Sequence, residues 1–273
     1  MSSFARDSLV ARYGVDAVPP VGPWNDAIGL LLRHRSIRGY RSDALPDGTL
    51  ETLIAAAQSA ATSSNMQTWS VIAVTAPAIK AALAEIANGQ QHIVQCPLFL
   101  VWLADLSRAQ RIGAAQATDL EALPYLETFL VAAIDAALAA QNAVIAAESL
   151  GLATVYIGAL RNDIGRVAAL LNLPTQAFAV FGLCVGYAAD SAASEVKPRL
   201  AQPAVLHRER YALADEGALR AAYDEKLAAF SRRNDMVGDT WTQRVITRLG
   251  RRSALNGRDR MRDALAMLGF PLR

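Results

Sequence analysis

The sequence predicts an α+β fold with one long, apolar helix at its centre. Three observations carry this. Helical segments outnumber strands, and the strands are spaced too irregularly for a repeating βαβ array. Residues 125–150 also hold a helical pattern for about seven turns, apolar on most faces, as a helix surrounded by other elements must be.

Each element follows from local chemistry. A first helix is expected from Trp24 to Arg33, with Ile28, Leu30 and Leu31 on its buried side. A second runs from Asp47 to Ala60, entered through Leu45-Pro46, with Leu50, Leu53, Ile54 and Ala57 at helical spacing. Trp69 to Thr75 is β-branched and reads as a strand. Pro77 opens a helix to Asn88, which Gly89 ends. Pro97 to Ala104 is continuously apolar, as in a strand buried on both faces. Gly151 stops the long helix that begins at Tyr125. Ala153 to Gly158 reads as a loop or short strand, Asp163 to Leu171 as a helix, and Ala177 to Gly186 as another buried strand. Beyond Pro203 lie an amphipathic helix from Glu216 to Phe230, a polar loop from Arg232 to Thr240, and an Arg-rich helical end.

Composition narrows the function classes. The 273 residues are 53% apolar and 19% charged, enough for a large core and a subunit interface, with a formal net charge of only +2. Charge balance therefore gives no argument for a nucleic-acid or membrane partner. The most apolar stretch, Val131 to Leu150, is broken by Asp135, Gln141, Asn142 and Glu148, which would be costly in lipid, so a core helix is expected. Cys96 and Cys184 lie far apart in apolar runs without metal-ligand spacing, and are read as buried free thiols, with no metal site. Residues 1–23 lack the apolar core of a secretory signal and are read as a partly ordered extension. The cytoplasm is the expected location.

Five segments could carry chemistry. Arg33 to Arg38 places three arginines, His34 and Ser36 within six residues; this is either a phosphate clamp or a solvated basic helix end. Thr62 to Trp69 is a dense run of small polar side chains before a strand, able to meet the polar edge of a ring or simply to turn. Gly89 to His92 gathers amides where a helix ends. In Val155 to Ala159, Gly158 permits close backbone approach to a ligand. Lys197-Pro198-Arg199 holds two cationic donors at a fixed separation. The tail from Trp241 carries eight arginines against two aspartates, but it lacks aromatic interleaving, and Leu249, Leu255, Met261, Leu265 and Leu268 suggest helices packing inward. His92 and His207 read as surface or structural histidines, and Phe99 and Trp102 as core.

Taken in order, these motifs resemble the nitroreductase superfamily, in its branch of NADPH-dependent flavin and nitro reductases. The resemblance spans about Ile28 to Trp241. It includes Gln141 to Leu152, Tyr156-Ile157-Gly158, Leu160-Arg161-Asn162, Phe181 to Gly186, Lys197 to Leu200 and Asp239-Thr240-Trp241. It implies a mostly antiparallel central sheet surrounded by helices, in an intertwined homodimer with FMN at the interface. Residues 24–240 would form the FMN-binding domain, preceded by the 1–23 extension. Residues 241–273 would form a helical extension packed on the body or the partner subunit.

The resemblance also implies roles. His34, Arg35, Ser36, Ile37 and Arg38 would hold the FMN phosphate and ribityl chain, with Lys197, Pro198 and Arg199 meeting the phosphate from the far end of the chain. Gln90 would contact the flavin or ribityl. Tyr156, Ile157, Gly158 and Ala159 would line the ring, and Thr62, Ser63, Ser64 and Gln67 would reach the partner's flavin. No dedicated catalytic side chain is implied, because the flavin carries hydride chemistry; donor and acceptor would alternate over one ring face, in ping-pong turnover. The branch has two basic clusters before Asp-Thr-Trp that grip the NADPH 2′-phosphate. Here only Arg232 and Arg233 are present in a loop about two residues shorter, so NADH stays open as a donor. Ala159 stands where a second glycine is usual. Three functions follow: reduction of nitroaromatics, quinones or similar acceptors; supply of free reduced FMN; and flavin binding without turnover in a regulatory role.

Overall fold

The computed structural model describes residues 3–192, 195–213, 215–234, 236 and 240–273. In chain order the helices are α1 (Ser3–Tyr13), α2 (Asp26–Leu32), α3 (Thr49–Gln58), α4 (Pro77–Ile86), α5 (Gln91–Gln95), α6 (Ser107–Ala115), α7 (Leu126–Ser149), α8 (Ile164–Leu170), α9 (Glu216–Arg233), α10 (Trp241–Leu249) and α11 (Met261–Met267). The strands are β1 (Trp69–Val74), β2 (Leu98–Asp105), β3 (Ala153–Ile157) and β4 (Ala177–Gly186). The chain divides into two units, one of residues 1–35 and 194–255, the other of 36–193 and 256–273.

The larger unit is built on one sheet of order β1-β2-β4-β3 in which every neighbouring pair is antiparallel. Strand β2 is buried along its whole length because both faces of the sheet are covered. Period-two alternation sends Phe99, Val101 and Leu103 into one cluster with Ile37, Leu83, Ile93 and Val155. Leu98, Leu100 and Trp102 enter the other, against Leu53 of α3 and an alanine-rich face of α7. Ala139, Ala140, Ala143 and Ala147 on that face are fully buried, and their small side chains let the helix lie close to the sheet. Gly182 of β4 serves the opposite face, since a methyl group there would overlap the Phe99 ring. The unit ends in a third cluster where Leu265 and Phe270 of the C-terminal segment meet Phe129, Ile164 and Phe178.

Helix α7 is by length and composition capable of crossing a membrane, its most apolar window averaging a hydropathy of 1.8. One side of it is the core face just described. The other presents Leu126, Leu130, Ile134 and Leu138, four residues apart and each between 44% and 56% exposed.

The smaller unit is helical. Tyr223, Leu227 and Phe230 of α9 form its core with Leu200 and Trp241. Helix α1, which the sequence reading left unassigned within the extension, buries Ala5, Ser8, Leu9 and Arg12 at helical spacing. Two further readings are corrected. Helix α9 continues through Arg232 and Arg233, placed above in a loop; the partial negative charge at a helix C-terminus favours arginines in its last turn. Leu249, expected to pack inward, is 73% exposed, because α10 buries none of its residues. Helices α5 and α6 were also not anticipated, being short and not strongly apolar.

Candidate functional site

The predicted cationic segment crosses the boundary between the units, and each part is held differently. Helix α2 ends at Leu32, with Arg33 capping it over the Phe4 ring. The chain leaves it toward His34 and Arg35, where one side chain gathers its backbone. The Arg12 guanidinium, only 5% exposed, donates to the carbonyls of Leu32 at 2.6 Å and His34 at 3.1 Å. It also donates to the carbonyl of Lys197 at 2.7 Å, and its own carbonyl accepts from the Arg199 amide at 2.9 Å. Residues 32–34 and 197–199 are thus joined within one unit. From the other side, the buried Tyr223 hydroxyl donates to the Pro198 carbonyl at 3.0 Å. Pro198 is buried, Arg199 is exposed, and the Lys197 ammonium lies 5.8 Å from the Phe230 ring centre.

Ser36, Ile37 and Arg38 belong to the larger unit. Ser36 pairs in parallel with Thr154 of β3, and the Ile37 amide donates to the Thr154 carbonyl at 3.0 Å. Ile37 is buried in the core, so its neighbours Ser36 and Arg38 face solvent by strand alternation. The Tyr40 hydroxyl anchors the segment by donating to the Ile37 carbonyl at 3.0 Å. Burial holds that phenol well above its ordinary range.

Strand β3 sends Tyr156 outward, its ring edge-on to Phe181 at 5.0 Å, while Ile157 is buried. Gly158 follows, where an added methyl carbon would come within 3.2 Å of the Arg161 guanidinium. Arg161 is itself held by the Val180 carbonyl. Ala159 is half-buried. Gln90 sits between Gly89, which adopts a positive φ of 75°, and helix α5. His92 of that helix has a pKa lowered by burial and, secondly, by Arg38. The Cys96 and Cys184 thiols are buried, and burial pushes the latter up.

The loop of Thr62, Ser63, Ser64 and Gln67 is exposed at Ser63, Ser64 and Gln67, yet tightly fixed. Its anchor is Asp135 of α7, a carboxylate only 2% exposed. Thr62 Oγ1 donates to it at 2.5 Å, the Ser63 amide at 3.1 Å, the Thr68 amide at 3.3 Å and Thr68 Oγ1 at 3.0 Å. The Gln67 amide closes the turn on Thr62 Oγ1 at 2.9 Å. Ser64, Asn65 and Gln67 all adopt positive φ, a conformation non-glycine residues enter only where surroundings compel it.

Arg233 forms a two-pronged ion pair with Glu195 at 2.9 Å, and both side chains are largely exposed. Such a pair is weak in water and can be exchanged for another anion. Of the segment between α9 and Trp241, Asp235, Val237, Gly238 and the motif residue Asp239 lie outside the described residues.

The residues present fit FMN. A phosphate dianion calls for several cationic donors. Here the Leu32 and His34 carbonyls are taken up by Arg12, while those of Lys197 and Pro198 are each shared between an inner donor, Arg12 or Tyr223, and the Arg199 guanidinium at 3.2 Å. Gly158 carries no side chain, and the space a methyl group would fill there is taken by the Arg161 guanidinium, a further cationic donor beside this segment. Sequence reasoning missed Arg12 and Asp135. Each carried a signal: a charge on the apolar stripe of a helix, which a fold tolerates only when polar groups converge on it.

The fold is an α+β protein with an antiparallel sheet between helices, and sequence comparison gives its family. The nitroreductase family model matches residues 31–187, and the model of its C-terminal domain matches 197–273. The chain belongs to the nitroreductase family, in its NADPH-dependent branch. It is 40% identical over 220 residues to an oxygen-insensitive NADPH nitroreductase of Salmonella typhimurium, covering 80% of this chain and 88% of that protein. It is 37% identical over 227 residues to an FMN reductase (NADPH) of Bacillus subtilis, covering 81% and 90%. The solved structure of B. megaterium NfrA2 superposes with a TM-score of 0.85 at 39% identity, over 92% of this chain and all of that one.

Proposed function

We propose that this protein is an FMN-dependent oxidoreductase that takes hydride from NADPH and delivers it to nitroaromatic, quinone or similar small acceptors. The observation that carries the reading is the joining of residues 32–34 to 197–199, two cationic segments some 160 positions apart, within one unit. Bound FMN would supply the redox chemistry, accepting hydride from the nicotinamide and passing it to the acceptor. The chain's own residues bind and orient. His34, Arg35, Ser36, Arg38, Lys197 and Arg199 hold the phosphate and ribityl chain, helped by Gln90. Tyr156, Ile157, Gly158 and Ala159 line the ring. Arg232 and Arg233 receive the 2′-phosphate of NADPH, Arg233 exchanging Glu195 for it. Residues 24–240 carry the flavin-binding residues, flanked by 1–23 and 241–273.

We place the enzyme in the cytoplasm, where nicotinamide donors are available, as a homodimer. The exposed stripe of Leu126, Leu130, Ile134 and Leu138 supports the dimer, since a second copy would take this apolar face out of water. In this arrangement Thr62, Ser63, Ser64 and Gln67 reach the flavin of the partner subunit.

The test is the visible spectrum of the purified protein, followed by anaerobic titration with NADPH and then NADH. Flavin bands that bleach, faster with NADPH, are expected, together with a dimeric mass in sedimentation. A colourless protein that FMN does not reconstitute would sink the reading, and a monomeric holoprotein would sink the interface. A second reading, reduction of free FMN, is favoured by the similarity to the B. subtilis FMN reductase. It requires that FMN added beyond the bound equivalent be consumed as a substrate.

A further inference from the structure

We infer that Arg12 is a positioning residue for the cofactor phosphate: it builds the phosphate cradle from behind, before any flavin arrives. This rests on the phosphate assignment proposed above. Arg12 lies ahead of residue 31, where the family match begins, so that match does not account for it.

The geometry is specific. A buried guanidinium spans three carbonyl oxygens from two segments, those of Leu32, His34 and Lys197, at 2.6–3.1 Å. The planar fork of arginine suits this, because its donors diverge in fixed directions; an ammonium on a flexible stem lacks that shape. The backbone of the same residue adds a fourth bond, from the Arg199 amide. Helix α1 holds Arg12 in place through Ala5, Ser8 and Leu9, buried on the same face. Just beyond it, the Lys226 ammonium binds the Tyr13 carbonyl at 2.9 Å.

Two consequences favour a phosphate. The Leu32 and His34 carbonyls are neutralised by the buried Arg12 cation, and the Lys197 carbonyl is shared between Arg12 and the Arg199 guanidinium at 3.2 Å, so that Arg12 takes up carbonyl charge that would otherwise oppose an incoming anion. Fixing residues 34 and 197–199 in advance also removes ordering entropy that the ligand would otherwise have to overcome. Neither consequence concerns the isoalloxazine ring, so the effect of Arg12 is confined to the phosphate.

The discriminating probe is riboflavin, which carries the same ring without the phosphate. Affinities for FMN and riboflavin would be measured by fluorescence quenching on the full chain freed of flavin. Wild type is expected to bind FMN at least about a hundredfold more tightly than riboflavin. Arg12→Gln should lose about tenfold or more in FMN affinity while riboflavin binding stays within about twofold. Arg12→Lys, which keeps the charge but not the fork, should fall between. Equal weakening of both ligands would reduce Arg12 to a general stabiliser, and unchanged FMN affinity would remove any role; either overturns the inference. No preference for FMN in the wild type would instead overturn the phosphate assignment itself. Should the variants fail to fold, hydrogen exchange on the flavin-free wild type decides. The Arg199 amide must be protected, and free exchange there would mean that the pin does not exist.

Discussion

The two best-defined candidate binding segments of this protein are fixed by opposite charges. In the smaller unit, residues 32–34 and 197–199 direct carbonyl oxygens onto the buried cation of Arg12. In the larger unit, residues 62–68 direct amides and hydroxyls onto the buried anion of Asp135. Each arrangement leaves outward what its ligand would need. Collecting carbonyls onto a cation orders a cationic segment, and collecting N–H and O–H groups onto an anion fixes a short polar loop in which Ser63, Ser64 and Gln67 stay exposed. Each candidate segment is thus positioned by one buried charge distant in sequence. Such a charge is tolerated because several polar groups converge on it.

The contrast can be broken most decisively at the phosphate. Arg38→Ala combined with Arg199→Ala should weaken FMN binding about a thousandfold, so that gel filtration strips the flavin. Full flavin stoichiometry after filtration would dissolve the distinction between the two segments. Next in size, Asp135→Ala leaves four donors without their common acceptor and should cost about 3 kcal/mol of stability in urea unfolding. Faster exchange should follow at the amides of Ser63 and Thr68, with the Arg199 amide unaffected; loss of protection in both regions would mean the two anchors are not independent.

A smaller effect is expected at the exposed pair. Arg232→Ala with Arg233→Ala should raise KM for NADPH about tenfold and leave KM for NADH unchanged. Equal rises for both donors would show that these arginines do not read the 2′-phosphate. Smallest of all is the titration of His92, which burial and Arg38 hold below the ordinary histidine value. The unfolded chain then takes up the proton first, so this contribution to stability is present above about pH 6.5 and is lost as pH falls through the folded value. His92→Asn should flatten the unfolding midpoint between pH 5 and 7.5, and an unchanged slope would exclude His92 as its source.

Much of the fold was legible from residues alone. The continuous apolar run from Pro97 to Ala104, read as a strand covered on both faces, is β2 at Leu98–Asp105, and Pro77, Gly89 and Gly151 punctuated their helices as expected. What escaped was of two kinds. Helices α5 and α6 are short and weakly apolar, so their existence depends on what they pack against. Arg232 and Arg233 read as loop because charged residues carry no periodic signal, though a helix C-terminus suits them. The candidate site divided in the same way. Its cationic stretches, from His34 to Arg38 and from Lys197 to Arg199, were visible as clusters, while Arg12 was passed over in an extension and Asp135 was noted only as an interruption in an apolar helix.

Sequence by itself determined the α+β class, the long central helix and the family, and it singled out the residues proposed to face a ligand. These follow from periodicity and from motifs contiguous along the chain. Only the tertiary structure decided that Arg12 joins segments some 160 residues apart, and that Asp135 holds a loop more than sixty residues before it. The reason is physical: a hydrogen bond to a backbone group reads position and not residue type, so the partner of a buried charge leaves no mark in the sequence.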